Sequence, residues 1–599
     1  MQRGIAVLDF GGQYAHLIAN RVRRLNVYSE IFAPDVDLSK LEGACGVIFS
    51  GGPSSVYDPG QPAFNPALIE SGLPTLGLCY GHQLICKHLG GEVVAGDVRE
   101  YGAATLEIVP NAKLFAGLGT QEKVWMSHGD VVTRLPDGFR PLGATDDCPT
   151  AAVGDDVRHI YGVQFHPEVA HTPNGMAILD NFLKICDAPR TWTMANYAEV
   201  AMDAIREQVG QRNLFLLVSG GVDSSVAFVL FNQALGEDRV LGLHIDNGFM
   251  RKAETATVEV FLNEEGFHNL QVEDASDDFL LSVEGLVEPE MKREAIGKTF
   301  LDVKDKVLAR LNLDPDQWLL GQGTLYPDTI ESGGTEHAAL IKTHHNRIDL
   351  IEELIAQGKV VEPLAQLYKD EVRDLGTELG LPDHLVWRHP FPGPGLAVRC
   401  LCSDGEAEAE DLAGAEEKAA KMASELGLQL RILPVKSVGV QGDYRTYAHP
   451  GVVWGEATWE VLEELSTRIT NSIREINRVL YLITPTALPE LRLKRAFLTR
   501  ARLDLLREAD AIAMKALLDA NLMAEVSQMP TVLLPLSTDG QNESVVLRPI
   551  TTPDFMTARF SELPFELVAQ MGRDIQALNG INSVFYDVTH KPPGTVEWE

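Results

Sequence analysis

Leu76-Gly77-Leu78-Cys79-Tyr80-Gly81 is the stretch on which the fold turns. A short apolar run ends in a thiol held between two glycines. Leu84, Ile85 and Leu89 then recur at helical spacing. That pattern is a buried strand turning sharply into a helix. The same punctuation stands upstream. Ile5-Ala6-Val7-Leu8-Asp9-Phe10 stops at Gly11-Gly12, and Gly46-Val47-Ile48-Phe49-Ser50 stops at Gly51-Gly52-Pro53. Short strands ending in glycine turns, with a helix predicted over 14–25, specify an α/β fold. Its sheet is expected to be parallel, with helices on both faces and ligands at the carboxyl ends of the strands.

A second α/β pattern follows. Asp187-Ala188-Pro189-Arg190 reads as a linker and 197–208 as a helix. Leu214–Val218 and Val240–Ile245, with one helix between them, form a β-α-β unit. Pro390-Phe391-Pro392-Gly393-Pro394-Gly395 reads as an ordered loop or lid before a third region. Residues 404–426, rich in Ala and Glu, read as a solvated surface helix. The last third repeats itself. Leu433-Pro434-Val435-Lys436-Ser437 is similar to Leu534-Pro535-Leu536-Ser537, and Ile476-Asn477-Arg478-Val479-Leu480-Tyr481 to Ile581-Asn582-Ser583-Val584-Phe585-Tyr586. Two related α+β subdomains are therefore expected, and the chain divides into 1–190, 191–399 and 400–599.

Composition bounds the function. The chain has 599 residues, with 45% hydrophobic and 23% charged side chains, enough apolar material for several soluble cores. No apolar run reaches the roughly 18–20 residues of a membrane span. The first residues run straight into a strand pattern without the features of a signal peptide, so a cytoplasmic protein is expected. A net charge of −34 repels nucleic acid and anionic lipid. A small anionic substrate would need local cations or helix N-termini. The seven cysteines include no Cys-x-x-Cys pair and no zinc spacing.

Cys79 has a context that demands chemistry. Glycines on either side present it at the apex of the turn, and the following helix N-terminus favours a thiolate. His166-Pro167-Glu168 follows the strand-like run Ile160–Phe165. In an extended segment His166 and Glu168 face one side, so Glu168 can orient an imidazole that serves the thiol. The backbone N–H groups of Gly52 and Tyr80 can face a developing oxyanion. This combination resembles class I glutamine amidotransferases, which release ammonia from glutamine through a γ-glutamyl thioester. The resemblance extends to Trp125-Met126-Ser127-His128-Gly129-Asp130 and implies that Gln83, Ser127 and His128 hold glutamine.

Ser219-Gly220-Gly221-Val222-Asp223-Ser224-Ser225 follows the strand Leu214–Val218 and opens a helix. Exposed backbone N–H groups and the helix N-terminus make an anion cradle. No Gly-Lys-Ser/Thr follows, so it is not a Walker A loop. It resembles the PP-loop of N-type ATP pyrophosphatases, which hold the pyrophosphate leaving from ATP. Asp223 is the expected magnesium residue, Asp246 ends the strand where the nucleoside lies, and Lys342 is a candidate for stabilising phosphate charge. His344-His345 reads as substrate or hydrogen-bonding residues rather than a metal pair.

The remaining motifs resemble the glutamine-hydrolysing GMP synthase family over nearly the whole chain. They are Arg388–Leu396, Ser437–Asp443, Asp554-Phe555-Met556-Thr557-Ala558 and the closing run Tyr586–Glu599, which contains His590-Lys591-Pro592-Pro593-Gly594-Thr595-Val596-Glu597-Trp598. The resemblance implies ATP-dependent amination of XMP through an adenyl-XMP intermediate. Magnesium accompanies the ATP, and glutamine supplies the nitrogen. It implies that Arg445, Gln528, Lys591, Val596 and Glu597 bind XMP. Ser583 stands where many members carry an arginine near the XMP phosphate, and Arg445 or Arg478 is expected to replace it. The repeat resembles the longer family form. The short form dimerises through one such subdomain, so monomer and homodimer are both open. The competing reading is an inactive scaffolding or regulatory homologue, which would have lost catalytic residues.

Overall fold

The computed structural model describes residues 1–599 apart from 12–13, 54, 58–60, 170, 265, 312, 315, 327–356, 407–410, 442–443 and 553–557. The chain forms two compact units, Met1–Val200 and Ala201–Glu599.

In the first unit the apolar runs pair in parallel. Ser29–Phe32, Gly4–Leu8, Ala44–Phe49, Thr75–Leu78 and Ile160–Val163 lie side by side in that order. Beyond Ile160–Val163 the sheet turns antiparallel, through Ala152–Asp155, Arg140–Ala144, Glu92–Ile108 and Gln121–Arg134. The expected all-parallel sheet is therefore mixed. The parallel strands Gly4–Leu8, Thr75–Leu78 and Ile160–Val163 are buried along their length, the edge strand Ser29–Phe32 is mostly half-buried, and Gln121–Arg134 alternates between covered and exposed positions. The helix Ala15–Arg24 buries Ile18, Ala19 and Val22, spaced as one helical face.

In the second unit, Asn213–Leu217 is the middle strand of a parallel sheet ordered Leu270–Asp274, Val240–Asp246, Asn213–Leu217, Trp318–Gly321, Val360–Val361. The chain leaves the middle strand toward one edge and returns to build the other. The carboxyl end of Asn213–Leu217 is thus a topological switch point, where ligands bind in such sheets. The helix Val222–Leu235 that follows is buried over most of its length.

The C-terminal sheet of this unit is built twice over. Its order is Gln429–Ile432, Tyr444–Trp454, Ile476–Thr484, Ile581–Asp587, Glu543–Leu547, Thr531–Leu534. Outermost pairs are antiparallel, the next pairs inward are parallel, and the central pair is antiparallel. A helix precedes each half (Ala413–Ser424, Arg500–Asp519) and another bridges its parallel strands (Trp459–Ser472, Phe565–Gln576). The helix expected to be solvated buries an alanine stripe, Ala415, Ala419 and Ala423, and so belongs to the core. Among the described residues no helix is long and apolar enough to cross a membrane.

Candidate functional site

The thiol of Cys79 sits where the sequence pattern puts it, at the end of the buried strand Thr75–Leu78 and before the helix Tyr80–His88. Its backbone is strained, with φ 50° and ψ −104°. The flanking glycines are required by close approach. A Cβ on Gly77 would stand 2.6 Å from the backbone of Gly81 and His82, and one on Gly81 would stand 2.3 Å from the carbonyl oxygen of Phe49. The turn can pack against the neighbouring strand only without side chains at these two positions.

His166 and Glu168 meet as expected. Nδ1 of His166 donates to Oε1 of Glu168 at 2.7 Å, and both side chains are buried. The carbonyl of His166 accepts from Thr172 Oγ1 at 2.7 Å, and its N–H donates to the Trp125 carbonyl at 3.0 Å. Burial works to lower the imidazole pKa. The Glu168 carboxylate and the Cys79 sulfur overcome it and raise the pKa to about 10. The cluster thus favours the protonated ring beside the sulfur. A Cβ on Gly51 would stand 3.2 Å from His166 Cε1 and 3.8 Å from Cys79 Cβ, and one on Gly52 would stand 3.4 Å from the Tyr80 ring. The glycine turn thus borders the thiol and the imidazole.

The glutamine-holding candidates are tied into the protein. The Cys79 thiol donates to the Ser127 carbonyl at 3.5 Å. His128 is held between Glu100 Oε2 at 3.2 Å and the Asp130 carbonyl at 3.1 Å. Gln83 Nε2 donates to the Asp130 carbonyl at 2.9 Å and to Gln164 Oε1 at 3.1 Å. Gln164, which sequence reading passed over as a strand residue, donates from Nε2 to Cys79 Sγ at 3.6 Å.

In the second unit the loop 219–221 closes on itself. Ser219 and Ser224 hydroxyls lie 3.1 Å apart, Gly221 N–H donates to Ser219 Oγ at 3.3 Å, and Ser225 N–H donates to the Gly221 carbonyl at 3.1 Å. Val222 and Asp223 open the helix. Two cations converge here, Lys369, which the sequence reading passed over, and Arg388, which it quoted only as the start of a motif. Lys369 Nζ lies 2.7 and 2.5 Å from the two carboxylate oxygens of Asp223. Arg388 donates to the Gly220 carbonyl and pairs with Glu254. Asp246 is used locally, accepting from Gly248 N–H at 2.8 Å and from Thr255 Oγ1 at 2.7 Å. Lys342 and His344-His345 lie outside the described residues.

Of the XMP candidates, Gln528 and Glu597 come together, with Gln528 Nε2 3.3 Å from Glu597 Oε1. Gln528 also donates to the Pro390 carbonyl at 3.1 Å. Arg399, another residue missed in the sequence, is fully buried and grips Glu597 through two bonds of 3.0 and 2.7 Å. Two guanidinium groups lie over the Phe391 ring, Arg251 at 4.6 Å and Arg399 at 5.1 Å from its centroid. Lys591 pairs by its backbone with Ala558, and Val596 is half-buried. Arg445 lies in the strand Tyr444–Trp454 opposite Val440, and its side chain is outside the described residues.

Arg478, one of the two candidates to stand in for the arginine absent at Ser583, is committed to the protein interior. It is the counterpart of Ser583 in the repeat, but its guanidinium is fully buried. It pairs with Asp587 at 2.9 Å and donates to the Thr595 carbonyl at 2.9 Å and the Glu597 carbonyl at 3.1 Å. It pins the closing segment from inside. Trp598 is likewise fully buried, and its indole donates to Asp587 at 3.2 Å.

Comparison with known proteins matches these parts. Residues 6–186 fit the model of class-I glutamine amidotransferases. Residues 417–489 and 515–598 fit the model of the GMP synthase C-terminal domain. A "Probable GMP synthase (glutamine-hydrolyzing)" of Leptospira interrogans is 43% identical over 605 residues, covering 100% of both chains. GMP synthases of Heliobacterium modesticaldum and Carboxydothermus hydrogenoformans are each 45% identical. They cover 80% and 81% of this chain and 97% and 98% of their own. Similar from end to end to the first, and over about four fifths of its length to the shorter two, the chain belongs to the glutamine-hydrolyzing GMP synthase family.

Proposed function

We infer that the chain converts XMP to GMP, using ATP to activate the purine and glutamine as nitrogen donor. The observation that carries this reading is the full-length likeness to a GMP synthase in a chain that keeps Cys79, His166 and Glu168 together with the loop Ser219–Ser225. An inactive homologue would have lost one of these groups, and each is present.

In the first step the Cys79 thiolate attacks the amide carbon of glutamine. His166 protonates the departing ammonia, held in place by Glu168. Water then hydrolyses the thioester to glutamate. Gly52 and Tyr80 N–H groups are the candidates for the oxyanion, and Gln83, Ser127 and His128 border the substrate. In the second step O2 of XMP attacks the α-phosphorus of ATP and pyrophosphate leaves onto the loop. Ammonia then attacks C2, and AMP departs. Ser219 to Ser225 form the anion cradle, with Asp246 and Lys342 as further ATP candidates. Arg445, Gln528, Lys591, Val596 and Glu597 are the XMP candidates.

Magnesium fits the donor set. Such sites use one or two carboxylates completed by phosphate oxygens. Asp223 offers one, at the mouth of the loop and partly exposed. Among the described residues no group of three such side chains would hold a metal without nucleotide. Magnesium would supply charge neutralisation on the pyrophosphate. Asp223 would hold it, and the ammonium of Lys369 would turn from Asp223 to the phosphates.

We divide the chain into a glutaminase domain 1–190, an ATP pyrophosphatase domain 191–399 and an XMP-binding region 400–599. We read the protein as a monomer, because its C-terminal sheet already pairs two copies of one motif. All seven cysteines are free, which suits the cytoplasm. The test is incubation with XMP, Mg-ATP and either glutamine or ammonium, followed by chromatography of nucleotides. GMP and AMP are expected in equal amounts with both nitrogen sources, and absence of GMP with either rejects the reading.

A further inference from the structure

A chain of two buried amides ends on the sulfur of Cys79, and its direction is set by a backbone group. The Asp130 carbonyl can only accept a hydrogen bond. The end of Gln83 that lies 2.9 Å from it is therefore the NH2 group. The same nitrogen lies 3.1 Å from the Gln164 side chain, so Gln164 presents its carbonyl oxygen there. That leaves the NH2 group of Gln164 toward Cys79 Sγ, 3.6 Å away. An amide end is ordinarily ambiguous, but here the carbonyl fixes both. Gln164 is 0% exposed and Gln83 4% exposed, so water does not substitute for either bond. The Gln164 backbone is fixed as well, donating to the Ala151 carbonyl at 2.8 Å.

We propose that Gln164 is a catalytic hydrogen-bond donor to the Cys79 sulfur, and that Gln83 is the positioning residue that aims it. This rests on the reading of Cys79 as the nucleophile of glutamine hydrolysis. A donor at sulfur acts twice in that reaction. It favours the thiolate over the thiol before attack. It acts again when the thioester carbon–sulfur bond breaks and the electron pair returns to sulfur, which leaves as thiolate while His166 takes a proton from the attacking water. His166, whose ring Glu168 holds at 2.7 Å, serves the sulfur as proton carrier, and the Gln164 amide adds a neutral dipole at 3.6 Å. The Ser127 carbonyl can accept only from the protonated thiol. Gln164 is thus a neutral side-chain group at the sulfur that prefers the ionised form.

The test uses the full chain. Gln164→Met keeps the side-chain length and removes the donor. The pH dependence of iodoacetamide alkylation of Cys79, located by peptide mass spectrometry, is expected to move up by about one unit. The glutamine-dependent kcat is expected to fall roughly 10- to 100-fold while KM for glutamine changes far less. Gln83→Met leaves Gln164 in place but unaimed, and is expected to shift the alkylation profile in the same direction by a smaller amount. A Gln164→Met profile and kcat equal to wild type overturn the proposal. Should Gln164→Met melt out, which a thermal unfolding curve reads, the Gln83→Met profile decides, and no shift there overturns the relay. Failure of the underlying reading looks different. Cys79→Ser would then retain glutamine hydrolysis, and the alkylated peptide would not contain Cys79.

Discussion

Tyr481 and Tyr586 face each other across the central antiparallel strand pair of the C-terminal sheet, each occupying the same place in its own copy of the repeat. The symmetry extends to irregularities. The pairing shifts between His449 and Pro450 in one half and between Glu543 and Ser544 in the other. The residue passed over on the partner strand is Asn477 in the first and Asn582 in the second. Each asparagine turns its amide to hold a neighbouring backbone carbonyl, Asn477 that of Ser437 at 2.7 Å and Asn582 that of Leu536 at 2.9 Å. The two halves of the sheet are thus related by a pseudo-two-fold within one chain, which is the ground for the proposed monomer. Light scattering on a size-exclusion column is expected to give a single species near the chain mass of 65.6 kDa. A dimer at micromolar concentration would show that another surface associates.

The parallel half of the first sheet, the elbow, the glycine loop before the helix Val222–Leu235 and the repeat were legible because each is written in contiguous residues. Glycines, apolar runs and a helix start leave local marks. The antiparallel half was not legible, since long half-exposed strands such as Gln121–Arg134 carry few such marks. Partners across the chain left none. Lys369 meets Asp223 across 146 residues, Arg388 meets Gly220 across 168, and Arg399 meets Glu597 across 198. A lone lysine at a helix start or arginine in a loop reads as surface charge until folding brings its carboxylate to it. Gln164 was hidden for the opposite reason, standing two residues from His166 inside an apolar strand pattern.

Removing the nucleophile separates the two chemistries. Cys79→Ala is expected to abolish GMP formation from glutamine, at least 10³-fold down in rate. GMP formation from ammonium should stay close to wild type, because the residues proposed for ATP and XMP lie in the other compact unit. Steady-state assays with each nitrogen source check this, and equal loss of both would mean that one site serves both reactions.

Lys369→Met tests the cation at the pyrophosphate loop. It leaves the Asp223 carboxylate without its ammonium partner and removes a positive charge from the loop proposed to receive the leaving phosphates. Loss of one preorganised charge of this kind lowers kcat by about 10²–10³. The fall is expected with glutamine and with ammonium alike, measured as AMP release in the presence of XMP. An ammonium-dependent kcat at the wild-type level would make Lys369 a bystander.

Arg399→Met probes whether Glu597 needs its buried partner. With the guanidinium gone, the Glu597 carboxylate keeps the Gln528 amide at 3.3 Å among the described residues, and Phe391 keeps the Arg251 cation. KM for XMP is expected to rise about tenfold, equivalent to ~1.4 kcal/mol, with little change in KM for glutamine. Breaking a buried pair from one side also destabilises the fold, so a lower melting temperature should accompany the change. An unchanged KM for XMP at saturating ATP would detach Glu597 from XMP binding.

The imidazolium of His166 makes a prediction whose sign is fixed. Burial alone would depress its pKa. Glu168 and the Cys79 sulfur instead raise it to about 10, against 6.5 as the ordinary value. A base whose pKa is higher folded than unfolded stabilises the fold fully below the unfolded value, and that contribution is lost as pH climbs toward the folded value. The first unit is therefore expected to lose stability progressively between about pH 6.5 and 10. His166→Gln, which cannot carry the charge, should lose less over the same interval although it starts lower. Thermal unfolding followed across that range, wild type against variant, measures the difference. The wild-type melting temperature should fall more steeply, and parallel curves would mean that the imidazole is neutral in the folded protein and that Glu168 orients it without ionising it.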